Sequence, residues 1–315
     1  MGGLLTEVGR KLAEKWVTLL ALPGALYLAV ATAAVSLGHT HPFDLSRTAD
    51  RITAWADRSA AAGGGGQVVL LLAVLAAAAM AGLAAQALGS LLERLWLAAD
   101  WPAWPRPART LAARRTARRH RAWIAAARTW HRRRDDDIRS LASGNRADPA
   151  ARHAAERAMT RIAVEEPTRP TWSGDRLNAA AVRIERDQGL DLAATWPHLW
   201  LALPDGPRGE VTAARQALTR ATTLAAWALL YLPLTLRWWP AALVACVLAL
   251  TARARTHAAV EAYALLLEAA TRLHARDLAG HLGLDATVPL TLDAADTVTR
   301  YLTPTAPPPP DGSDD

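Results

Sequence analysis

Two kinds of pattern alternate along the chain. Residues 16–37, WVTLLALPGALYLAVATAAVSL, carry no charge and, at about 1.5 Å of helical rise per residue, are long enough to cross a hydrocarbon core of roughly 30 Å. Pro23 and Gly24 in the first half predict a kink of the kind membrane helices tolerate. A second uncharged run, residues 68–92, follows Gly63 to Gly66 and ends at Glu93 and Arg94. Ala78, Gly82, Ala85 and Gly89 recur on it at spacings of three and four, a small-residue stripe that lets another helix approach closely. Gln86, beside the stripe, reads first as a hydrogen-bonding group across helices and second as part of a polar path. Two shorter runs, 221–236 and 238–252, meet at Arg237-Trp238-Trp239-Pro240 and predict a hairpin of third and fourth spans. Arg237 snorkels to the far headgroups, Trp238 and Trp239 anchor at that interface, and Arg220, Arg253 and Arg255 mark the near side. The alternatives for this hairpin are a soluble helical core or a partial dip into the membrane.

Polar, arginine-rich chain separates the second and third runs. Trp101 and Trp104, set among Pro102, Pro105 and Pro107, form an interfacial exit from the second span. Residues 110–134 have helical composition, with Arg114, Arg118 and Arg121 on one face and Trp123 and Trp130 seven apart. Arg132 to Asp137, RRRDDD, reads as a salt-bridged solvated face or a helix end. A loose stretch over 143–149 precedes a helix near 150–162. Asp175 then caps a helix holding Leu177, Ala181, Val182 and Ile184, which ends near Gly189. Trp196, His198 and Trp200 form an aromatic patch, read first as a core or membrane-interface feature, before the turn Pro204-Asp205-Gly206-Pro207. Residues 257–282 read as an amphipathic helix, and the Pro-rich tail from 303 as disordered.

The expected architecture is therefore all-α and polytopic, with about four transmembrane helices. It comprises an N-terminal transmembrane pair (1–100), an Arg/Trp-rich helical cytoplasmic insert (101–215), a transmembrane hairpin (216–255), a cytoplasmic amphipathic region (256–302) and the tail (303–315). A cleaved signal peptide competes for the first run, behind Arg10, Lys11 and Lys15, but the run is longer than a signal core and further spans follow.

Charge sets the orientation. Of 315 residues, 51% are hydrophobic and 21% charged, with a net charge of +7. The segment between spans two and three concentrates Arg114, Arg115, Arg118, Arg119, Arg121, Arg128, Arg132, Arg133 and Arg134, whereas the loop after span one balances Arg47, Arg51 and Arg58 against Asp44, Asp50 and Asp57. The positive-inside rule makes the arginine-rich segment, and with four spans both termini, cytoplasmic. Anionic lipid headgroups explain the arginines first, at about 1 kcal/mol per charge. Nucleic acid ranks second, with Trp123 and Trp130 as stacking rings, and an anion-gathering vestibule of an oligomer third. The Arg-over-Lys bias itself fits a GC-rich genome. Thirteen Trp against one Phe and four Tyr favours headgroup-level anchoring.

Catalytic signatures are missing: no phosphate loop, no nucleophile elbow, no zinc-protease helix and no paired cysteines. Cys246, the sole cysteine, excludes an intrachain disulfide and a cysteine-based zinc site. His39 and His41 with Asp44 could bind a metal only weakly, two His on a loop being a common accident, and Arg132 to Arg134 compete with any hard cation for the carboxylates of Asp135 to Asp137. Neither a metal nor a cofactor is expected, and the chain is read as non-enzymatic.

The segments LGHTHPFDLSR, LAAQALGSLLERLWLAADW and DRLNAAAVRIERDQGLDLAATWPHLWLALPD together resemble a family of uncharacterised multi-pass membrane proteins of actinobacteria. The resemblance implies a bacterial plasma membrane and nothing catalytic. The order of spans is also similar to that of bestrophin-type anion channels, in topology alone. The expected function is a membrane-anchored docking or sensing platform for a cytoplasmic protein partner, with Trp196, His198 and Trp200 coupling insert to membrane. Small-residue faces suggest a homo-oligomer. The alternative is a homo-oligomeric ion channel or pore-forming effector.

Overall fold

A computed structural model of the chain describes residues 22–39, 44, 53, 63–145, 148–284 and 292–303. Among these the fold is all-α: α1 (Leu22–Leu37), α2 (Gly63–Leu97), α3 (Arg106–Ala142), α4 (Pro149–Thr160), α5 (Trp172–Gln188), α6 (Leu192–Ala202), α7 (Asp205–Tyr231), α8 (Pro240–His281) and α9 (Leu292–Leu302), with 3-10 turns at Trp101–Ala103 and Leu232–Leu236. Two of the described helices are long and apolar enough to cross a membrane, Gly65–Leu97 and Pro240–His281, and α1 is a shorter apolar helix. The expected first-span residues 16–21, the basic head Arg10 to Lys15, His41, most of the loop at 45–58 and the tail beyond 303 lie outside the described residues.

The chain divides into two compact units: unit 1 is Met1–Glu93 with Leu218–Thr256, and unit 2 is Arg94–Ala217 with His257–Asp315. In unit 1 the small-residue stripe of α2 is buried along its whole length, at Ala78, Gly82, Ala85 and Gly89. Gly24 of α1 lies directly on the Ala78 backbone, and a Cβ at Gly89 would stand 3.0 Å from Thr223 Cα on α7. Tyr27 packs on Trp227 and Tyr231 with ring centroids 5.9 and 5.3 Å apart. The large apolar side chains of α2 instead face outward, among them Val69 at 68% exposure and Met80 at 70%.

Unit 2 buries clusters of large apolar side chains, while others such as Leu201 and Leu273 stay exposed. Ile184, Leu190, Ala275, Ala279, Ala295 and Val298 form one buried cluster, and Leu199, Leu203, Ala270 and Leu278 another. Helices α3 and α4 pack as a hairpin. Asp148 caps α4 by accepting from the Ala150 and Ala151 amides, and Gly189 ends α5 with a left-handed φ of 68°, a conformation glycine adopts at no steric cost.

Several expectations are corrected. The separate span at 238–252 and amphipathic helix at 257–282 are one continuous helix, α8. Residues around Arg253 are Ala-rich and strongly helix-forming, so the change from apolar to charged does not interrupt the backbone. Pro204 to Pro207 is not a free turn but the entry to α7, where Pro207 occupies a first-turn position whose N–H has no helical partner anyway. Thr171, not Asp175, caps α5; its hydroxyl accepts from the Gly174 amide at 3.1 Å. The helix expected at 110–134 extends over Arg106–Ala142 and so carries RRRDDD in its body rather than at its end.

Candidate functional site

Of the nine arginines expected at an anionic surface, eight stand exposed on α3: Arg114, Arg115, Arg118, Arg121, Arg128, Arg132, Arg133 and Arg134. Arg119 does not belong with them. Its side chain is 17% exposed and pairs with Asp175 at 2.7 Å. One oxygen of that carboxylate accepts from Arg119 Nε and Nη2, the other from the Thr168 and Arg169 amides. Burial pushes the Asp175 carboxyl above its ordinary range, against the pull of these donors. Asp137 is likewise turned inward, accepting from the Asp148 amide and pairing with Arg152 at 3.2 Å, not with Arg132 to Arg134.

The main polar feature of unit 2 was not singled out from the sequence. Arg176 is 2% exposed, its Nε and Nη2 donating to Glu261 at 2.8 and 3.0 Å and its Nη1 to Glu268 at 2.9 Å. Around it run Trp172 stacked on His257 with centroids 4.3 Å apart, Arg183 near Glu268 at 3.7 Å, and Arg272 donating to Asp187 at 2.5 Å. Trp172 with His257, Arg176 with Glu261, Arg183 with Glu268 and Asp187 with Arg272 are all separated by 85 residues. A constant offset places α5 parallel to the unit 2 part of α8, in register. Burial disfavours the Arg176 cation, but its bonds to Glu261 and Glu268 prevail and raise its pKa. The signal available in the sequence is the shared spacing: positions 172, 176, 183 and 187 repeat as 257, 261, 268 and 272.

Trp196 and Trp200 are half-buried on α6, ring centroids 6.0 Å apart, and pack against the Leu199, Leu203, Ala270 and Leu278 cluster. Arg208 lies 6.0 Å from the Trp200 ring. His198 between them is exposed. These rings therefore build the core of unit 2, leaving His198 as the outward member of the expected patch. Trp101 is half-buried and donates from its indole N–H to the Thr168 carbonyl at 3.1 Å, and Trp123 donates to Ala163 at 3.0 Å. Trp104 is half-buried, Arg237 exposed, Trp238 half-buried and Trp239 exposed at 43%. Because Ala78, Gly82, Ala85 and Gly89 are taken up inside unit 1, the stripe no longer supplies a free face for a second copy.

Among the described residues no group of three or more His, Cys, Asp or Glu side chains could hold a metal ion. No family model, no curated protein and no solved structure matches the chain.

Proposed function

We propose that the chain is a non-catalytic integral membrane protein of the bacterial plasma membrane, in which unit 1 is the anchor and unit 2 a docking or sensing platform for a cytoplasmic protein. The observation that carries this reading is the inversion of unit 1: Val68, Val69, Leu71, Leu72 and Met80 on α2, and Leu243, Val247 and Leu250 on α8, face outward at 57–70% exposure. An apolar face that large is solvated by lipid, not by water.

On this reading the chain crosses four times. Residues 218–236, helical to 231 and then 3-10, extend about 31 Å, and residues 240–256 about 25 Å. Both lengths approach the roughly 30 Å hydrocarbon core. The eight exposed arginines of α3 lie on the cytoplasmic side, as do both termini. Lipid headgroups are their first partner, ahead of nucleic acid and of an anion-gathering vestibule.

The test is retention and labelling. The chain should stay with membranes through an alkaline wash. A cysteine placed by Arg128→Cys, in a Cys246→Ala background, should react with an impermeant reagent only after the cells are permeabilised. Release by the wash removes the anchor, and labelling in intact cells reverses the orientation. Purified protein in liposomes should leave ion flux at the protein-free level; sustained flux would support the conducting alternative instead.

A further inference from the structure

Unit 1 contains a half-open groove of about 760 Å³, within the range of roughly 300–1,000 Å³ typical of small-molecule sites. Each of its four helices gives one face. Pro23 and Leu26 come from α1, Gln86 and Ser90 from α2, residues 219–231 from α7, and Val244, Leu248 and Arg255 from α8. Both helices able to cross a membrane thus help to wall it.

Its two ends differ chemically. On α7, Thr219, Arg220 and Thr223 give way to Leu224, Trp227 and Tyr231, about 16 Å further along the axis from Arg220 to Tyr231. On α8 the order is reversed, from Val244 and Leu248 to Arg255. Only eight residues, 232–239, join the two helices, so they run antiparallel and the reversed orders coincide: Arg220 and Arg255 share one end, Tyr231 and Val244 the other. The hydroxyl-bearing Ser90, Thr219 and Thr223 accompany the arginines. Thr219 donates to the buried Glu93 carboxylate at 3.2 Å, but among the described residues neither Arg220 nor Arg255 has an ion-pair partner.

We propose that this groove binds one anionic phospholipid, with an acyl chain along Leu26, Trp227, Tyr231 and Leu248 and the headgroup phosphate against Arg220 and Arg255. The proposal rests on the membrane reading above. An apolar wall alone would accept any lipid. Two unpaired guanidinium groups at one end, each a five-donor fork matched to phosphate oxygens, select the anionic one. These residues are separate from the eight exposed α3 arginines: all ten are exposed, but only Arg220 and Arg255 line the groove.

The experiment uses the full chain, reconstituted in vesicles of phosphatidylcholine containing phosphatidylglycerol. The protein is then extracted in mild detergent and washed, and its retained lipid is measured. Wild type should keep phosphatidylglycerol in preference to phosphatidylcholine. Arg220→Gln with Arg255→Gln should lower that retention by about tenfold or more. Val244→Phe, which narrows the apolar end while leaving both charges, should lower it too, and it keeps the proposal testable if the arginine variant does not fold. Equal retention of both lipids by wild type, or unchanged retention in both variants, overturns the assignment. So does competition by glycerol phosphate as effective as that by the intact lipid, which would mark a soluble phosphate site. A chain that stays in membranes after an alkaline wash but retains no phosphatidylglycerol loses only the lipid site. A chain the wash releases loses the membrane reading as well.

Discussion

Unit 1 and unit 2 are built from the same helices-only repertoire, yet their interiors are opposites. Unit 1 brings helices together by leaving side chains out: Gly24 rests on Ala78, Gly89 on Thr223, and the buried positions include Ala34, Ala78, Ala85, Ala225, Ala226, Ala241 and Ala245. Most of the large apolar groups of its α2 point away, while Leu37, Leu218 and Tyr231 are buried. Unit 2 buries Ile184, Leu190, Leu199 and Val298 and locks α5 to α8 with Arg176, Glu261 and Glu268, while its exterior carries the arginines. Burial of large apolar side chains is the driving force of folding in water. Where lipid surrounds the helices that force is lost, and close backbone packing by small residues takes its place. On the membrane reading proposed above, the contrast reflects two different solvents.

The largest effects expected are those that break each interior by its own logic. Arg176→Met leaves Glu268, with a side chain 11% exposed, without its main cation, and should cost about 3–5 kcal/mol, the penalty for a half-broken buried pair. Calorimetry in detergent measures it, and adding Glu261→Gln with Glu268→Met should recover most of the loss. In unit 1, Gly24→Val forces a side chain into the Ala78 backbone and should cost about 1–3 kcal/mol by overpacking. A tolerated Gly24→Val, seen as an unchanged melting curve, would remove the close-packing half of the comparison.

Neighbouring arginines sharpen the picture. Arg119→Gln withdraws the charged donor from Asp175, whose side chain is 3% exposed, and should cost roughly 1.5–3 kcal/mol. Arg118→Gln, one residue away and exposed, should stay within about 0.5 kcal/mol. Equal costs would contradict the division of α3 into one inward and several outward arginines.

Acid should act on unit 2 more gently. Burial pushes the Glu165 carboxyl up, but hydrogen bonds from Arg186 and Arg183 outweigh it and hold it below its ordinary 4.5. Asp187 is held below 3.8, chiefly by Arg272. Because both folded values lie below the unfolded ones, their stabilisation is complete above the ordinary carboxylate range and is lost as pH falls through the folded values. Asp175, raised by burial, works in the opposite sense. A melting temperature that falls below about pH 4, by less in Asp187→Asn, is the expected result.

Local chemistry made part of this legible. The run at 68–92 is visible because an apolar segment of that length has no charged interruption, and Gly189 because a residue free to adopt positive φ ends a helix that way. What escaped was whatever depends on partners distant in sequence. Nothing near Arg176 announces Glu261 and Glu268, and Asp175 reads as a cap because Asp is a preferred N-cap residue, whereas its carboxylate accepts from the Thr168 and Arg169 amides, which precede α5. The break expected between span four and the helix after it failed for another reason: hydropathy changes at Arg253, but helix propensity does not. The groove arginines Arg220 and Arg255 read as markers of the near interface, and only the pairing of α7 with α8 gives them a shared end.

The most direct measurement uses the native cysteine. Cys246 is exposed on α8, among the outward Leu243, Val247 and Leu250. In the unmodified protein embedded in liposomes, a charged water-soluble maleimide should fail to label Cys246 until the bilayer is dissolved in denaturing detergent. Arg128→Cys in the Cys246→Ala background should react readily once the reagent reaches its side. Labelling of Cys246 in intact liposomes as fast as that of the cysteine at position 128 would show that water, not lipid, covers the apolar face of unit 1.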